Sequence, residues 1–178
     1  MKFIKLTGES ADIAILEKIN EEAFPENERN LLTDMMATGA EVLGIYEFSE
    51  AIGFLVVREY KNLVYVAYLA VRSDSRNRGI GTAVMEEFVN QYFNKMIVVE
   101  YEAPDGTVQH GMDCIRRRNY YRRCGFKHTG WYTAYDETEF EIGCAGEDFD
   151  IGLFNEFIDY LGTIVEDHIP HPYQKEGF

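Results

Sequence analysis

The chain switches between two hydrophobic rhythms, and each switch marks an element. Residues 2–7 (KFIKLT) alternate apolar and polar, as a half-buried strand does. From Ser10, a suitable N-cap, the period lengthens. Ile15, Ile19 and Ala23 then recur four apart, which predicts a helix that Pro25 breaks. Residues 27–39 (NERNLLTDMMATG) read as a short second helix stopped at Gly39. Three strand-like runs follow at 41–48, 51–60 and 63–72, apolar on both alternations in places, as central strands covered on both faces are. Their connections, Ser49-Glu50 and Lys61-Asn62, are short enough only for antiparallel hairpins.

Beyond residue 79 the helical period returns. Ile80, Val84, Phe88 and Tyr92 form one amphipathic stripe, and residues 95–102 (KMIVVEYE) are strand again. A loop over 103–111 leads to a polar helix over 112–124, ended by Gly125. Residues 126–135 and 138–143 then read as a final strand pair. In the tail, Ile151, Phe154, Ile158, Leu161 and Val165 share one helical face. This order predicts an α/β fold, a mixed, mostly antiparallel central sheet flanked by helices. The helix over 80–93 is long enough to cross over between parallel strands. One domain over 1–178 accommodates it, with a core at 1–143 and a helical extension at 144–178, in line with roughly 100–200 residues per domain.

Charge and cysteine content narrow the function classes. The 178 residues carry 31 acidic against 17 basic side chains, a net charge of -14. That argues against a general nucleic-acid binder, which needs a basic face, and leaves cationic partners such as amines open beside plain solubility. Cys114, Cys124 and Cys144 form no metal-type pair and are odd in number, which suits a reducing cytoplasm. No run approaches the ~18 apolar residues of a spanning helix, so a soluble, cytoplasmic protein with no membrane partner is expected. The four histidines lack metal spacing, and no metal site is expected. A Cys114 nucleophile paired with His110 is conceivable, but nothing in the sequence brings the two together.

The candidate chemistry starts at residues 76–85, RNRGIGTAVM. A helix N-terminus offers unpaired N–H groups to an anion. Here Gly79 and Gly81 bracket the helix start, Arg76 and Arg78 add charge, and Thr82 adds a hydroxyl. Val84 stands where a dinucleotide fingerprint would put its third glycine, and no P-loop lysine follows. Alone, this G-x-G reads as an ordinary strand-to-helix turn with solvated arginines.

In context, Arg76-x-x-Gly79-x-Gly81 resembles the Q/R-x-x-G-x-G/A signature of the GNAT superfamily, the Gcn5-related N-acetyltransferases. Residues 64–89 are similar to that family's strand, pyrophosphate loop and helix. Residues 119–126 (NYYRRCGF) resemble its second conserved segment, and the likeness covers about 1–143. It implies acetyl-CoA as cosubstrate. Backbone N–H groups of Arg78, Gly79, Ile80, Gly81 and Thr82 would hold the pyrophosphate, with Arg76 nearby. Leu69, Ala70 and Val71 would pair with the pantetheine arm, and a backbone N–H near Leu69 or Ala70 would face the oxyanion. Tyr121, four residues before Gly125, aligns with the tyrosine that protonates the leaving sulfur, with Tyr120 packing beside it; either tyrosine is otherwise a core aromatic.

The remaining roles are less marked. Glu100 and Glu102 sit two apart on one strand and share a side, either as a proton acceptor for the amine or as solvent-facing edge residues. Glu26 and Glu28 either contact a cationic acceptor or solvate a loop and cap the next helix. Arg117 either meets the CoA 3′-phosphate or faces solvent. The expected activity is transfer of acetyl to a primary amine of a small molecule or peptide by direct attack in a ternary complex. The rival is a non-catalytic acyl-CoA sensor or interaction protein on the same scaffold. The apolar stripe of the terminal helix suits either a homodimer contact or a cover for one sheet face.

Overall fold

A computed structural model describes residues 2–76, 78–104 and 108–175. The elements are β1 (Lys2–Lys5), α1 (Ile13–Ala23), α2 (Leu32–Ala37), β2 (Glu41–Glu47), β3 (Glu50–Tyr60), β4 (Leu63–Val71), α3 (Ile80–Gln91), β5 (Met96–Glu102), α4 (Val108–Arg123), β6 (Lys127–Tyr135), β7 (Thr138–Gly146) and α5 (Ile151–Val165). The strands form one sheet in the order β1-β2-β3-β4-β5-β7-β6. The β4–β5 pair is parallel, as a crossover through α3 requires, while β1–β2, β2–β3, β5–β7 and β6–β7 are antiparallel. The chain divides into two compact units, Met1–Glu59 with Val66–Met85, and Tyr60–Tyr65 with Glu86–Phe178. No described helix is long and apolar enough to cross a membrane.

In the first unit, Leu16 and Ile19 of α1 and Leu32 and Met35 of α2 pack on Val42, Phe54 and Val56 of the sheet. Each such side chain contributes roughly 1.5–3 kcal/mol when fully buried. The inner face of α1 is Leu16, Ile19 and Asn20, and Ile15 is 46% exposed. A four-residue spacing drifts around a 3.6-residue helix, so Ile15 falls off the stripe it predicted. Ser10 does not cap α1. Its hydroxyl accepts the Thr7 N–H at 2.9 Å, and the N-cap position is Asp12. Asp12 gives no side-chain cap either, because its carboxylate takes the Tyr46 phenol at 2.7 Å.

The second predicted helix is interrupted. A 3-10 turn over Glu26–Glu28 passes into extended backbone at Arg29 and Leu31 before α2 starts. The Leu32 N–H is capped by Glu17 of α1 at 2.6 Å, not by Glu26 or Glu28. The β2–β3 turn sits one residue early, at Phe48-Ser49, with φ of 49° and 72°. Those values suit the primed turns that match strand twist.

In the second unit, Phe154, Phe157 and Ile158 of α5 pack on Leu63, Met96, Val98 and Ile142. Asp150 starts α5 by accepting the Gly152 and Leu153 N–H groups at 2.8 and 3.1 Å. The apolar stripe therefore covers a sheet face of its own unit. Helix α4 covers the opposite face, where Tyr121 stacks on Tyr101 of β5 at 5.3 Å. Arg118 of α4 grips the buried Glu141 of β7 with two hydrogen bonds, one of 2.8 Å. The polar helix starts at Val108 rather than 112, while Asp105–Thr107 of the predicted loop lie outside the described residues. Strand β7 runs to Gly146, so a core boundary at 143 falls inside it.

One glycine fixes the spacing of neighbouring strands in the first unit. A Cβ on Gly53 would stand 2.4 Å from the Ala70 carbonyl oxygen and 3.2 Å from the Val71 Cα. Gly53→Ala is expected to lose roughly 1–3 kcal/mol by urea denaturation; unchanged stability would mean that this approach is not tight.

Candidate active site

The end of β4 is fixed before the glycine turn begins. The Arg72 N–H donates to the Ile52 carbonyl at 2.8 Å. Its guanidinium pairs with Glu50 and Asp74, each at 2.7 Å. Arg72, followed by the Ser75 hydroxyl, holds the Asp74 carboxyl below its ordinary range. Ser75 is buried and donates to Asp74 at 2.9 Å. Arg72 is a residue that the sequence reading missed; its only sequence signal was its place at the end of a strand.

After that anchor, Gly79 takes a φ of +76°, a left-handed value that glycine adopts without strain. Helix α3 starts at Ile80, and the Ala83 N–H bonds to the Gly79 carbonyl at 3.0 Å. Arg76 turns back, its Nε donating to the Val71 carbonyl at 2.9 Å. The structure thus gathers Arg76, Arg78, Gly79, Ile80, Gly81 and Thr82 at the end of the strand bearing Leu69, Ala70 and Val71. The first turn of a helix carries partial positive charge, and here two arginines adjoin it.

The second unit holds the titratable candidates. Glu100 is half-buried on β5 and accepts hydrogen bonds from Tyr65 at 2.6 Å, from Thr133, and from Tyr135 at 3.5 Å. Burial pushes its carboxyl above the ordinary value, and the three hydroxyls pull the other way. Glu102 has different company: Arg117 at 3.5 Å and the Cys114 thiol at 3.9 Å, both on α4. The two carboxylates share a side of the strand by alternation but meet different neighbours. Cys114 is buried, and the side chain of its conceivable partner His110 lies outside the described residues. All three cysteines are free thiols.

Tyr121 makes ring contacts to Tyr101, Tyr120 and Phe126 at 5.3, 5.1 and 5.5 Å. Its hydroxyl has no hydrogen-bond partner among the described residues. Burial pushes its pKa up to about 12, so the phenol stays protonated through neutral pH. Tyr120 instead lines a groove of about 530 Å3 with Asp113, Arg116, Arg117 and Arg123. Glu26 and Glu28 are exposed. The Tyr68 hydroxyl donates to the Glu28 carbonyl at 3.1 Å, which ties that turn to β4.

The model of the acetyltransferase (GNAT) domain matches residues 38–128, just over half of the chain. The chain belongs to the GNAT acetyltransferase family. It is 31% identical over 113 residues to "Putative acetyltransferase YjbC" of Bacillus subtilis (strain 168), across 63% of this chain and 56% of that protein. The match thus spans little more than half the length of that relative. Among solved structures, the chain is similar to a protein from Bacteroides thetaiotaomicron titled a GNAT-family "Putative acetyltransferase". The TM-score there is 0.74 and the identity 23%, over 93% of this chain and 98% of the other. It is also similar to a GNAT acetyltransferase from Elizabethkingia anophelis with acetyl-CoA bound, at TM-score 0.58 and 15% identity, over 82% and 97% of the two chains. At these identities the structural likeness speaks for the GNAT fold.

The raised carboxyl of Glu100 predicts a pH-dependent stability for this GNAT chain. A carboxyl whose folded pKa is raised binds its proton more tightly folded than unfolded. Its contribution is complete below the ordinary glutamate value and is lost as pH rises through the folded value. Glu100→Gln is expected to remove that loss. Urea denaturation across the window should show the wild type losing stability relative to the variant with rising pH; a constant difference would refute the assignment.

Proposed function

We propose that this protein transfers the acetyl group of acetyl-CoA to a primary amine of a small molecule or peptide, by direct attack in a ternary complex. The observation that carries the reading is the start of α3: a helix N-terminus opened by a left-handed Gly79, flanked by Arg76 and Arg78, at the end of an anchored strand. Such a terminus suits a diphosphate. The N–H groups from Arg78 to Thr82 would face the CoA pyrophosphate. The backbone of Leu69, Ala70 and Val71 would meet the pantetheine amides, which pair well with a strand. Arg117, steadied by Glu102, would meet the 3′-phosphate.

In the reaction, the amine nitrogen attacks the thioester carbonyl carbon and the C–S bond breaks. Glu100 takes the proton released by the amine, and Tyr121 gives its proton to the departing thiolate. A phenol that keeps its proton up to about 12 is in the donating form throughout the working range. The net charge of -14 and the exposed Glu26 and Glu28 favour a cationic acceptor.

Incubation with acetyl-CoA and a panel of polyamines, aminoglycosides, amino acids and peptides, followed by thiol release, tests the reading. Turnover is expected, and Tyr121→Phe should lower kcat about a hundredfold. Thermal stabilisation by CoA without turnover on any amine would replace the enzyme with a CoA-binding protein. Gly79→Val forces a β-branched residue into a left-handed conformation, and calorimetry should find CoA binding weakened at least ~10-fold. Unchanged affinity would refute the loop assignment.

A further inference from the structure

Glu100 is held in a way that the acetyltransferase reading does not by itself require. Thr133 donates to one carboxyl oxygen, and Tyr65 and Tyr135 donate to the other. Thr133 and Tyr135 lie two apart on β6 and reach Glu100 across β7, while Tyr65 comes from the start of β4. Each phenol is braced by a ring, Tyr65 by Phe157 at 5.3 Å and Tyr135 by Phe140 at 5.5 Å. Thr133 is fully buried.

No cation pairs with Glu100 among the described residues. Around it stand the phenols of Tyr65 on β4 and Tyr135 on β6, with Glu102 two residues along its own strand. Ile142 of β7 sits opposite it, and α5 presents Phe157 to Tyr65. A carboxylate gripped by arginine, as Glu141 is by Arg118, meets donors that carry a fixed charge and cannot accept. A hydroxyl shell differs, because an O–H rotates and both donates and accepts. It satisfies the carboxylate by donating and the protonated carboxyl by accepting. That is the environment of a group that changes charge during a cycle.

We propose that Tyr65, Thr133 and Tyr135 are positioning residues whose hydroxyls hold the Glu100 carboxyl in one orientation and set the pH at which it takes the proton of the amine. The proposal rests on Glu100 being the proton acceptor of the acetyl transfer. Desolvation alone would push the carboxyl higher still, and the three donors restrain that rise.

The test has two arms on the full chain. In the first, glutamate labelled with 13C at Cδ is titrated by NMR, with Glu100→Gln assigning the resonance. Tyr65→Phe and Thr133→Val each delete one donor and should raise the proton affinity of Glu100 about tenfold. Tyr135→Phe should do less, since its contact is longer. Thr133→Ser, which keeps a hydroxyl, should retain the wild-type midpoint and guards against a folding artefact. In the second arm, the acid limb of kcat/KM is followed with acetyl-CoA and spermidine, kanamycin or a tripeptide as probe amines.

Midpoint and acid limb moving upward together support the proposal. A midpoint unmoved in the folded variants overturns the hydroxyl clamp. A midpoint that moves under a fixed acid limb removes Glu100 from the reaction and overturns the catalytic half, with the acetyltransferase reading intact. Absence of turnover on every probe overturns that reading instead, while the NMR arm still decides the clamp.

Discussion

The first unit depends on how rigidly the end of β4 is held. A helix N-terminus binds an anion well only if its N–H groups are already in place, because ordering a loop costs about 1–2 kcal/mol per residue. Here the ordering is done in advance by folding. Gly53 lets β3 approach the Ala70 carbonyl closely, and the Arg72 backbone and guanidinium tie the strand end to Ile52, Glu50 and Asp74. The glycine turn then starts from a fixed point, and among its described residues Gly79 takes the left-handed backbone conformation.

The second unit solves a different problem, that of carrying ionisable groups near a packed interior. Its three carboxylates of interest are satisfied in three ways. Glu141 is buried against a bidentate arginine and serves as a strut between α4 and β7. Glu102 meets Arg117 on the more exposed side of α4. Among the described residues, Glu100 accepts hydrogen bonds from hydroxyls alone. A buried ion pair offsets its desolvation with a fixed opposite charge, whereas hydroxyls offset it with neutral dipoles that rotate. Three neighbouring acids on one sheet thus have separate physical characters.

Charge is distributed as unevenly as structure. An acidic chain concentrates Arg116, Arg117 and Arg123 along one face of α4, beside Tyr120. The same helix presents Tyr121 inward to Tyr101 and Phe126. The adjacent tyrosines therefore part company, one lining a groove with three arginines and one packed into an aromatic cluster.

The sequence by itself determined the element order, the α3 crossover and the glycine-arginine turn, because periodicity, hairpin length and glycine placement are local properties. It also pointed to Tyr121, through a motif whose spacing is local. Only the tertiary structure decided which carboxylate is set apart. Glu100 and Glu102 look alike in alternation, and their difference comes from Tyr65, Thr133 and Arg117, which lie 35, 33 and 15 residues away in the chain. The same holds for Asp12, diverted from capping by Tyr46, and for the α5 stripe, whose cover is the sheet face of its own unit. A residue's period is written beside it in the chain, but its partners are chosen by strand order and packing, which bring together residues that no local pattern connects.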